Sequence, residues 1–104
     1  MNYSEHTHKL MCDAVNLISR YLKGEISEEY IQNSIEAIGN ALDNSVSADI
    51  REAFTYFPER VEEIISMEFP KNWRKLIEDE SIKLREVIGV GEGGGPRKKG
   101  SAAE

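Results

Sequence analysis

Three side chains near the start of the chain are its soft-metal ligand candidates: His6, His8 and Cys12. His8 and Cys12 are four residues apart, which places them on one edge of a helix and within reach of a shared ion. No third or fourth ligand stands nearby, so the same residues also read as two exposed histidines and a partly exposed thiol. A Cys–His nucleophilic pair would further need an orienting group and an oxyanion pocket. A small helical bundle rarely provides them. The expectation is a protein that is not an enzyme and holds no metal or cofactor.

Carboxylates are more numerous. They gather as Glu25/Glu28/Glu29, Glu59/Glu62/Glu63 and Glu78/Asp79/Glu80. Paired carboxylates perform acid–base chemistry only in a desolvated pocket. These fall on expected solvent faces or at helix starts, where they solvate a surface or complement a helix dipole. The functional alternative is an acidic patch that steers a basic partner. The Gly93-Gly94-Gly95 run follows no strand, opens no helix and lacks the Gly-Lys-Ser/Thr ending of a phosphate loop.

Charge narrows the partner class. The 104 residues carry a net charge of −6 and a pI near 5.0. Residues 1–96 hold 10 basic and 18 acidic residues, a charge of −8, whereas residues 97–104 hold three basic and one acidic, +2. Such a body repels nucleic-acid phosphates, so no direct nucleic-acid contact is expected. Arg97-Lys98-Lys99 is too short to mark a nucleic-acid or membrane site. No apolar run approaches the roughly 20 residues of a membrane span, and the first residues do not read as a signal peptide. With one cysteine there is no internal disulfide. The expected location is the cytoplasm.

The elements that would position these groups are helices. One domain over residues 1–89, followed by a disordered Gly-rich tail over 90–104, is the expected organisation. The fold class is all-α, a small antiparallel bundle of four or five helices. Leu10, Met11, Ala14, Val15, Leu17, Ile18, Tyr21 and Leu22 share a wide sector at helical spacing, with Tyr3 on the same side. A stripe that wide makes helix 1 the expected centre of the bundle. Gly24 suits the turn that ends it. Ser27 caps helix 2, with Ile26 and Ile31 placed as a hydrophobic staple and Ile31, Ile35, Ile38 and Leu42 forming its stripe.

Ser47 caps the next helix. Ile50, Ala53, Phe54, Phe57, Val61, Ile64 and Ile65 keep one phase across Pro58, which predicts either one kinked helix or two short ones. The last helix is expected over Asn72–Ile88, with Trp73 plugging one end of the bundle and Glu80 and Ser81 interrupting its apolar face. Off-stripe apolar residues are the remaining interface signal. Tyr56, Met67 and Ile82 fall away from the core faces, and Ile82 has a charged rim. An isolated exposed isoleucine needs no such reading.

Leu22-Lys23-Gly24-Glu25-Ile26-Ser27-Glu28-Glu29-Tyr30 resembles the junction between the first two helices of small bacterial immunity proteins of the colicin-D-like kind. Proteins of that kind are helical, acidic and of similar length. They neutralise a nuclease toxin by covering its basic active-site surface. The likeness covers these nine residues, size and charge, and carries no binding residue across. It implies a non-catalytic, toxin-neutralising role against a basic nuclease. The residues read as partner-binding are Tyr56, Glu59, Glu62, Glu63, Glu78, Asp79 and Ile82. The alternative is a self-associating structural or scaffold protein, and the sequence leaves monomer and homodimer open.

Overall fold

Three of the helices begin on a serine. Ser4, Ser27 and Ser47 each hold an extended backbone, and each hydroxyl accepts a hydrogen bond from the amide three residues on, at Thr7, Tyr30 and Ile50. Each cap satisfies one of the amides that a helix start leaves without a partner. A computed structural model of the chain describes residues 4–93, with side chains described for 4–89. It contains α1 (Glu5–Leu22), α2 (Glu28–Ala41), α3 (Ala48–Met67) and α4 (Pro70–Gly93). No strand occurs among the described residues.

The α1–α2 turn follows the expectation closely. Gly24 has φ +81°, a conformation that costs a side-chain-bearing residue about 1–2 kcal/mol. Beyond it Ile26 packs against the core and Ile31 is fully buried, the burial a staple requires. Helix α4 differs at both ends. It starts at Pro70 rather than Asn72, because proline lacks only an amide that a first helical turn leaves free. It also runs past Ile88 to Gly93. The expected tail from residue 94 onward lies outside the described residues, as does Tyr3.

The helices form a ring in which α1 packs on α2, α2 on α3, α3 on α4 and α4 on α1. Helices α2 and α4 also approach across the middle, whereas the backbones of α1 and α3 stay farther apart. This corrects the expectation that helix 1 is the centre. Helix α3 has the more extensive contacts with its two neighbours. Contacts between opposite ends show that α1 runs antiparallel to both of its neighbours. Ser4 at the start of α1 meets Asp43 just after α2, and Arg74 near the start of α4 meets Tyr21 near the end of α1.

The buried interior comprises Met11, Ala14, Ile18 and Tyr21 from α1, Ile31, Ile35 and Ile38 from α2, Ile50, Phe54, Phe57, Val61 and Ile64 from α3, and Ile77, Leu84 and Ile88 from α4. Burying each larger side chain contributes about 1.5–3 kcal/mol. Pro58 is buried inside α3, which is one helix rather than two. Proline removes the amide that would bond the Phe54 carbonyl. Helix α2 comes close at that point. A Cβ at Gly39 would lie 3.2 Å from the Phe54 Cβ and 3.6 Å from its carbonyl oxygen. The absence of a side chain at Gly39 therefore sets the α2–α3 spacing where α3 lacks a bond.

The interrupted face of α4 is also resolved. Ser81 is fully buried, and its hydroxyl donates to the Ile77 carbonyl at 2.8 Å, one turn back. Glu80 is only 8% exposed. Its carboxylate lies 3.6 Å from Arg60 of α3 and 3.7 Å from Lys83. Of the two expectations for Glu80, its place within the apolar face of the last helix holds and a solvent face does not: it is an inter-helix partner. Among the described residues no helix is long and apolar enough to cross a membrane.

Candidate functional site

Much of the polar chemistry is spent joining the helices at the two ends of the bundle. At one end, Asp43 receives hydrogen bonds from the hydroxyls of Ser4 at 2.6 Å, Thr7 at 2.9 Å and Ser45 at 2.6 Å, and from the Ser45 amide at 2.9 Å. Ser4 thus caps α1 and grips the α2–α3 loop together. These donors stabilise the charged form and hold the Asp43 carboxyl well below its usual range. Arg51 adds a bond of 2.6 Å to the Asp43 carbonyl, and the His6 ring donates to the Ala41 carbonyl at 3.0 Å.

At the opposite end, Arg74 reaches across from α4. It donates to the carbonyls of Tyr21 at 2.6 Å and Leu22 at 3.1 Å at the end of α1, where the Tyr21 carbonyl also accepts the Gly24 amide at 2.9 Å. Its guanidinium also lies 4.4 Å from the centre of the Tyr21 ring. The Tyr21 hydroxyl donates to Glu28 at 3.0 Å. Burial, followed by that bond and the Glu28 charge, raises the phenol pKa.

Two of the candidate metal ligands lie together, while His6 is engaged at Ala41. His8 Nε2 and Cys12 Sγ lie 3.8 Å apart on exposed α1, as their spacing implies. Among the described residues no group of three or more His, Cys, Asp or Glu side chains is placed to hold a metal ion.

The outer face of α3 is different. Asp49, Glu52, Tyr56, Glu59, Glu63 and Met67 recur at three- and four-residue intervals, so they form one line along the helix. All six are exposed, Tyr56 by 54% and Met67 by 75%. Glu63 bonds Arg60 at 2.7 Å. Among the described residues Asp49, Glu52 and Glu59 have no ion-pair partner. Of the residues expected to bind a partner, Tyr56, Glu59 and Glu63 therefore share a stripe. Glu62 is also exposed, but helical phase turns it about 100° from Glu63 and toward α2.

The three expected residues on α4 do not join that stripe as a group. Glu78 is half-buried and bonded to Arg74 at 2.6 Å. Asp79 lies on the outer side and pairs with exposed Lys75 at 3.3 Å. Ile82 is partly buried rather than exposed, on the side of α4 turned from α3. Trp73 packs against the core, and its indole donates to the Glu68 carbonyl at 3.0 Å, which closes the α3–α4 turn.

Asp49 and Glu52, absent from the expected set, extend the acidic stripe toward the start of α3. Their spacing to Tyr56 and Glu59 was visible in the sequence, although they belong to no local run of acids. An open groove of about 560 Å³ lies beside them, bounded across α4 by Lys83, Glu86 and Val87. Comparison with protein-family models, curated proteins and solved structures finds no match.

Proposed function

We propose that this chain is a non-catalytic, cytoplasmic binding protein that uses the acidic outer face of α3 to engage a basic surface on a partner protein. The observation that carries this reading is the run of unpaired carboxylates around exposed Tyr56. A charge without an internal partner contributes little to the fold and remains available to steer association. A tyrosine amid acids offers a large contact area with a polar tip, as interfaces favour. The −8 body charge over residues 1–96 points the same way. A toxin nuclease, whose active-site surface is basic to hold phosphates, is the partner that fits the immunity-protein resemblance.

The test is a capture at low salt followed by kinetics on the partner obtained. Raising ionic strength should slow association steeply while dissociation changes less. Reversing Asp49, Glu52 and Glu59 to lysine should weaken binding and change the melting curve little. A salt-insensitive complex, or an unaffected triple variant, overturns the reading. Self-association is the second reading, and one observation favours it. Met67 and Phe69 are 75% and 72% exposed at the α3–α4 corner. Sedimentation at micromolar concentration decides it, because a clean monomer removes the option.

A further inference from the structure

Between α3 and α4 the acidic stripe borders an apolar floor. A notch of about 140 Å³ is lined by Ala53, Tyr56, Phe57, Leu84 and Val87, with Glu80 and Lys83 at its edge. It adjoins the larger groove, with which it shares Lys83 and Val87. The notch matches in size cavities of about 150 Å³ that accept a benzene ring. The two depressions together follow α3 from Ile50 to Phe57. Seven residues of helix rise cover about 10 Å, the same span as i to i+7 on a docked helix. Asp49 and Glu52 stand on one lip and Glu86 on the other, none ion-paired among the described residues. Lys83, the cation between them, already faces Glu80 at 3.7 Å.

We infer that the α3–α4 groove receives a basic amphipathic helix of the partner protein, with one large apolar side chain of that helix seated in the notch beside Tyr56. This rests on the reading above and adds where the partner docks and what it must present. The uncompensated carboxylates on both lips select lysine and arginine flanks. The apolar floor selects the anchor and supplies the surface that charge alone lacks. Charges set orientation and encounter rate, whereas the buried anchor sets how long the complex lasts.

The experiment uses the full chain, labelled with ¹⁵N, and two synthetic peptides. One is an amphipathic lysine–leucine helix of about 15 residues. The other has the same length and charge with its central leucines replaced by serine. The first should shift the amides of Ala53, Phe57, Leu84 and Val87 and bind at least tenfold tighter than the second. Ala53→Leu, which fills the notch, should remove that tenfold difference. If both peptides bind equally and shift only the outer face of α3, the basic-partner reading stands and the groove inference falls. If neither binds, both fall. If deleting residues 94–104 shifts the groove amides by itself, the occupant is the chain's own Arg97-Lys98-Lys99 segment. If the free chain sediments as a dimer through this groove, the occupant is a second copy. Either result overturns the inference.

Discussion

Helix α4 forms a seam on each side, and the two seams treat their charged groups in opposite ways. Toward α1, Arg74 is fully engaged: it closes the end of α1, stacks on Tyr21 and holds Glu78. Toward α3, the charges near the core are matched through Arg60, Glu80 and Lys83, but Asp49, Glu52 and Glu86 at the rim are not. A polar group that satisfies a buried or orphan backbone atom is needed for folding. A solvated carboxylate beside an open apolar groove is not. The first seam is where substitutions should cost stability, and the second is where they should cost binding.

The sharpest break of that comparison is Arg74→Ala. It abandons the Leu22 carbonyl, takes one of two donors from the Tyr21 carbonyl and removes the ring contact, and should lower stability by about 2 kcal/mol, a fall of roughly 10 °C in Tm. A loss below a quarter of that would mean the α1–α4 seam is held by packing alone. Asp43 offers a second test at the other end of the bundle. Its pKa lies lower in the folded chain than in the unfolded chain. Its contribution is therefore full above the unfolded value, about 3.9, and is lost as pH falls below it. Asp43→Asn should lower Tm at pH 7 and flatten the decline of Tm on acidification. An unchanged acid limb would show that other carboxylates govern it.

Gly24→Ala should cost about 1 kcal/mol through its left-handed backbone, measured by urea denaturation. The smallest stability effect is expected on the open seam. Glu52→Lys and Glu59→Lys should each alter stability by no more than roughly 0.5 kcal/mol. The same two changes should slow association with a basic partner, and that contrast separates the two seams.

Helix existence, the serine caps of α2 and α3 and the left-handed turn at Gly24 were legible because they depend on neighbours within four residues. The acidic stripe was half legible. Glu59 and Glu63 stand out as a local cluster with Glu62, yet helical phase removes Glu62 and admits Asp49 and Glu52. Glu78 read as a further surface acid, and Glu80 both as one and as a break in the apolar face. Spacing along α4 does not disclose that Arg74 holds one or that α3 brings Arg60 to the other.

The sequence by itself determined the all-α class, the serines that cap α2 and α3, the apolar faces and the acid excess of the body. Periodicity and capping act within one helix and need no knowledge of its neighbours. Tertiary structure decided that helix 1 is one side of a ring rather than its centre, and that Pro58 lies within a single helix beside Gly39. It also decided which carboxylates are partnered. Asp43 with Ser4 and Arg74 with Tyr21 join residues 39 and 53 positions apart. Only the packing of whole helices brings such groups within hydrogen-bonding distance, and only that packing opens the groove beside Tyr56.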